Sequence, residues 1–209
     1  PTPDGPKYND VTASLWLLAR GGVVDPAAFV CPSASESPDP TTTNGVNVGP
    51  ARRSNFTSGE HLSYSYASPF SAYGGGTGFR LNADVLPADF ALMADKNPGT
   101  AGGQNPAGVP WSVDRASASS ANSRNHGRAG QNVLYSTGVV EFRATPYCGY
   151  ASPAAAPATT YRDNVFTAYA ATPAPVGPVP ADFAASGVWS KDAGPAWAYD
   201  SYLVPGEGE

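Results

Sequence analysis

The hydrophobic positions of this chain change period several times, and each change marks an element. Between Val11 and Arg20, the residues Val11, Leu15 and Leu18 fall at i, i+4 and i+7 with Ala19 beside them, the spacing of a core-facing amphipathic helix. Asn9 or Asp10 offers a side-chain oxygen to its first turn, and Gly21-Gly22 stops it. Residues 62–67 alternate aromatic with small polar side chains, which puts Tyr64 and Tyr66 on one face of a half-buried strand. Residues 90–94 form a second apolar run behind the turn Leu86-Pro87-Ala88-Asp89. Residues 132–135 and 139–142 are β-branched and aromatic runs joined through Ser136-Thr137-Gly138, a hairpin whose turn ends in glycine. The pattern predicts an α+β fold: an N-terminal helix packed on an antiparallel sheet of about four strands, with long loops.

Between these elements the chain is polar and loop-like. Residues 1–7 read as an extended lead-in, and 33–54 as a surface loop rich in Ser, Thr, Pro and Asn. The sequon Asn55-Phe56-Thr57 makes Asn55 a glycosylation candidate, and Thr41-Thr42-Thr43 an O-linked one. Residues 1–167 are expected to form the globular domain, followed by an Ala/Pro linker at 168–180 and an extended C-terminal arm at 181–209. That arm carries Phe183, Trp189, Trp197, Tyr199 and Tyr202, too many aromatics for a solvated tail. It either packs back on its own sheet or adds to a sheet edge of a neighbouring subunit.

Composition narrows the function classes. Gly 23 and Pro 22 are about a fifth of the 209 residues, which fits a loop-rich fold, while 14% charged and 11% aromatic residues argue against disorder. A net charge of −5 with 12 Lys and Arg provides no basic stripe, so nucleic acid is not an expected partner. No apolar run reaches the roughly 18 residues of a membrane span. The start at Pro1, without an initiator Met, is expected to reflect processing or truncation. Cys31 and Cys148 lie 117 positions apart outside any CxxC pair, leaving two buried thiols or one disulfide. The disulfide is the preferred reading, since secreted, aromatic-rich, lysine-poor chains occupy oxidising compartments. Closing so long a loop would contribute roughly 4–5 kcal/mol.

Catalytic signals are weak. The only histidines are His61 and His126. Ser136, His126 and Asp95 make a triad on paper, but a chain with this many serines always offers one, and no GxSxG elbow is present. Gly74-Gly75-Gly76 lacks the Gly-Lys-Ser/Thr of a phosphate loop. No metal site and no cofactor are expected beyond a structural calcium held by Asp84, Asp89, Asp95 and Asn97, and no DxDxDG loop supports even that.

The stretch 122–142, NSRNHGRAGQNVLYSTGVVEF, resembles the "H-x9-DG" segment of prepilin-type, pseudopilin-like proteins of planctomycete-like bacteria. The matching residues are Asn125, His126, Gly127, Gly130, Asn132, Val133, Leu134, Tyr135, Gly138, Val140 and Phe142. Ten residues rather than nine separate His126 from the position before Gly138, and that position is Thr137 instead of Asp. The segments around 8–33, 86–98 and 163–167 are similar to the same family. The resemblance implies a pilin-like head, without the hydrophobic N-terminal helix such proteins carry. It further implies a non-enzymatic subunit of an extracellular, cell-surface or envelope filament, built from copies of itself. A secreted carbohydrate-binding or adhesin module is the alternative, because Tyr and Trp among Asn, Ser and Gly suit surface glycans.

Overall fold

A computed structural model describes residues 10–69, 86–99, 106, 109, 114, 116–153, 160–169, 187–188, 201 and 203–204. Helix α1 spans Val11–Arg20, capped by Asp10, whose carboxylate accepts from the Thr12 and Ala13 amides. At the other end Gly22 takes the left-handed conformation at φ 71°, which a side chain would strain. The buried face is Val11, Ala13, Leu15, Trp16 and Ala19. Leu18, expected in the core, is rotated out and 43% exposed, because the large Trp16 ring takes the core position.

The strands in chain order are β1 (Thr42–Thr43), β2 (Val46–Asn47), β3 (Tyr64–Ala67), β4 (Ala91–Asp95), β5 (Gln131–Tyr135) and β6 (Val140–Arg143). They continue with β7 (Tyr147–Pro153), β8 (Thr160–Asn164), β9 (Ala168–Tyr169), β10 (Gly187–Val188) and β11 (Leu203–Val204). The central sheet has five strands in the order β11-β3-β4-β5-β6, antiparallel throughout. Four of them are the predicted strands, and the fold is α+β as the pattern implied. The fifth comes from the C-terminal segment: Leu203 pairs with Ala67 and is fully buried, so the arm packs in cis at this strand. The aromatic arm residues Phe183, Trp189, Trp197, Tyr199 and Tyr202 lie outside the described residues.

The two faces of the sheet are covered differently. On one, Leu15, Trp16 and Ala19 of α1 pack with Phe29, Leu62, Tyr64, Tyr66 and Met93. On the other, Ala94, Val133 and Tyr135 pack against Cys148, Val165, Phe166 and Leu203. Cys148 lies on β7, which pairs with β8 in a ladder the Pro- and Ala-rich sequence did not signal. The expected disulfide is a correction: Cys31 and Cys148 are both free and buried, Cys148 in the core around Phe166 and Cys31 beside His126 on the helix side. The tertiary fold, which sequence spacing does not report, puts Cys31 on the helix side of the sheet and Cys148 in the core of the opposite face.

The loop 33–54 is likewise more than a solvated surface. Asn44-Gly45 turns β1 into β2, with both residues at positive φ (51° and 75°), the backbone that an Asn-Gly hairpin turn requires. Further on, Asp39 and Arg53 form a buried ion pair. The Arg53 guanidinium sits 4.5 Å over the Trp16 ring, and the Trp16 indole donates to the Arg53 carbonyl at 3.2 Å. This loop is thereby clamped to α1.

Candidate functional site

The turn before β5 brings together residues from three distant segments. Asn125–Arg128 is a kinked pair of tight turns in which His126 (φ 54°), Gly127 (φ 63°) and Arg128 (φ 65°) are left-handed, a strained backbone for the two non-glycine residues. Strain of this kind persists only where surrounding contacts over-determine it, and here they do. Asn125 is buried and its amide donates to the Ser63 carbonyl at 2.9 Å and to Asp95 Oδ1 at 3.0 Å. Behind the turn, Gly130 approaches β6 so closely that a Cβ would lie 2.3 Å from the Arg143 carbonyl oxygen. Gln131 donates to the Arg143 and Thr145 carbonyls, and Asn122 to those of Arg128 and Ala144.

This scaffold aims His126 at the end of β4. Its Nε2 lies 3.2 Å from Asp95 Oδ2 and 3.8 Å from Cys31 Sγ. Asp95 and Cys31 are buried, whereas the His126 side chain retains 27% exposure. Asn132 completes the cluster: its backbone N–H donates to Asp95 Oδ2 at 2.7 Å, and its side-chain amide lies 3.2 Å from the same oxygen and 2.9 Å from His126 Nε2. Burial first, then nearness to Cys31 and Asp95, push the Tyr64 phenol above its ordinary pKa beside this cluster. A groove of about 570 Å³ opens over it, lined by Leu18, Val24, Phe29, Met93, Leu134 and Val140.

The arrangement is not a nucleophilic relay. A relay needs the carboxylate on one imidazole nitrogen and the nucleophile on the other, but Cys31 and Asp95 both approach Nε2. Ser136 of the paper triad sits beyond the opposite end of β5, where its hydroxyl donates to the Pro87 carbonyl. What the cluster offers is three donor atoms of different kinds, all within 4.8 Å of one another.

The other predicted positions disperse. Among the suggested calcium ligands, Asp89 accepts from the Ala151 amide and faces Arg162, and Asn97 donates to the Phe166 and Leu203 carbonyls. Asp95 belongs to the cluster, and Asp84 lies outside the described residues. His61 Nδ1 meets the Ser37 carbonyl at 2.8 Å. The Asn55 amide nitrogen, the atom that would carry a glycan, donates to Asp10 at the cap of α1. Gly138, at φ 83°, closes the β5–β6 turn with its N–H on the Tyr135 carbonyl. Of the cluster, sequence reasoning flagged His126, Asn125, Asn132 and Asp95 but missed Cys31 as their neighbour. A third segment carrying a soft ligand, Phe29-Val30-Cys31-Pro32, was the available signal. Compared with protein-family models, curated proteins and solved structures, the chain matches none.

Proposed function

We propose that this domain is a non-catalytic structural subunit of an extracellular or envelope pilus-like filament, joined to copies of itself through apolar contacts. The observation that supports this is the half-covered sheet face. Helix α1, at ten residues about 15 Å long, lies over Tyr64, Tyr66 and Met93. The β5–β6 half of the same face has no covering element among the described residues. Val140 is 60% and Phe142 48% exposed there, and Leu18 stands out from the helix at the rim of the groove. Strand β6 is also the end of the sheet order, and its outer edge pairs with no other strand among the described residues. Covering these three residues is worth on the order of 1 kcal/mol each, and repeated head-to-tail burial of such a face generates a fibre. The exposed part of this face is mainly aliphatic, with Phe142 its one aromatic, which favours apolar protein contact there over stacking on sugar rings.

Negative-stain microscopy and sedimentation velocity across a concentration series test the reading. The wild-type protein is expected to form concentration-dependent assemblies. Val140→Glu combined with Phe142→Ser should leave a folded monomer, because both side chains are half-exposed. Wild-type protein that stays monodisperse at every concentration, or a double variant that assembles undiminished, refutes it.

A further inference from the structure

The geometry points to a zinc-binding site at Cys31, Asp95 and His126, with its remaining coordination position open to the apolar groove. The three ligand atoms are a thiolate sulfur, an imidazole nitrogen and a carboxylate oxygen, the N/O/S set that zinc takes in sites with three protein ligands. Tetrahedral angles at ordinary zinc bond lengths place sulfur and nitrogen roughly 3.6 Å apart and nitrogen and oxygen roughly 3.4 Å apart. The observed separations are 3.8 Å and 3.2 Å. Two of the three pairs therefore stand within a few tenths of an ångström of ligating distance. The third pair, Cys31 Sγ and the Asp95 carboxylate, lies within 4.8 Å, so ligation requires the Cys31 side chain to turn toward Asp95 and close a gap of up to about 1.2 Å.

A carboxylate oxygen, a sulfur and His126 Nε2 converge here, and a divalent cation gives their lone pairs one acceptor once the Asn132 amide, 2.9 Å from Nε2 and 3.2 Å from Asp95 Oδ2, turns to the carboxylate alone. Two anionic ligands and Zn2+ also leave the buried site neutral, whereas Asp95 without the ion has only His126 as an ion-pair partner among the described residues.

The outer shell is in place as well. Asp95 is oriented by Asn125 on Oδ1 and by the Asn132 amide on Oδ2, and His126 is held by the left-handed turn. The sulfur excludes calcium and magnesium, which take oxygen ligands, and selects an ion of the zinc class. Access is from the groove, where His126 keeps its exposure.

The test uses the full chain, stripped with chelator under reducing conditions and titrated with Zn2+ and with Co2+ as a spectroscopic stand-in. One equivalent is expected to bind, with a sulfur-to-cobalt charge-transfer band in the near ultraviolet and d–d bands of tetrahedral intensity. Cys31→Ser should abolish the charge-transfer band. His126→Gln should weaken zinc binding by more than the 10–100-fold that loss of an outer-shell partner, as in Asn125→Ala, produces. Cys148→Ser should change neither. Should Cys31→Ser fail to fold, the wild-type protein still decides: Zn2+ must slow alkylation of Cys31, read by peptide mass, and leave Cys148 unaffected. Absence of the cobalt band, a Cys148-dependent band, or Cys31 alkylation indifferent to zinc overturns the proposal.

Discussion

The free, buried thiol of Cys148 makes stability fall with pH in a defined window. Burial first, with Asp163 adding and Arg143 and Tyr135 opposing, raises its pKa from 9.0 to about 12. A group raised in the folded state contributes stability that is fully present below its unfolded pKa and is lost as pH climbs to the folded one. Below pH 9 both states hold the proton, and nothing changes. Between pH 9 and about 12 the unfolded chain releases it while the folded chain keeps it. Each pH unit in that window lowers the unfolding free energy by up to about 1.36 kcal/mol, or roughly 4 kcal/mol across it. Tyr147, raised from 10.0 to about 12 by burial, and Tyr135, raised mainly by burial, act in the same direction above pH 10. Urea unfolding at pH 8, 9, 10 and 11 on wild-type and Cys148→Ala protein isolates the thiol, because Cys31 is common to both and cancels. The variant starts less stable for want of its sulfur. From pH 8 to 10 the wild type should lose about 1.4 kcal/mol more than Cys148→Ala does. Equal slopes in the two proteins refute the reasoning, and they would also be the result if Cys148 were tied in a disulfide, which has no proton to lose.

Other perturbations separate the clamp, the turn and the closing strand. Arg53→Ala leaves the Asp39 carboxylate buried without its guanidinium and strips the cation from the Trp16 ring, so chemical denaturation should show a loss of roughly 3–5 kcal/mol, while Arg53→Met with Asp39→Leu should recover much of it. Gly130→Ala forces a Cβ against the Arg143 carbonyl and the Phe142 ring, and a fall of at least about 1–3 kcal/mol is expected in the same measurement. Leu203→Ala removes a fully buried core side chain and should cost about 2–5 kcal/mol. Deleting 181–209 should therefore destabilise the head itself, visible as a lowered Tm, so that truncation does not isolate an assembly role for the arm.

What the amino-acid sequence determined by itself was local. Helix α1 is legible because its cap, its apolar spacing and its glycine stop all lie within a dozen residues, and Asp10 and Gly22 act where such signals act. The β5–β6 hairpin is legible for the same reason: Gly138 sets the turn, and the turn sets the register. The Asn44-Gly45 turn carried a signal of equal strength that went unread inside its polar loop. Tertiary structure alone decided which distant residues meet. Cys31 lies 95 positions from His126, and their approach depends on how β4 and β5 align and on where the segment after α1 crosses the sheet. One residue of slip in either strand would send Asp95 or Asn132 to the other face. The same logic separated Cys31 from Cys148 and drew Leu203 beside Ala67. Side-chain spacing along a chain encodes a period, whereas long-range pairing depends on summed burial across the whole sheet, and that sum exists only once the sheet is formed.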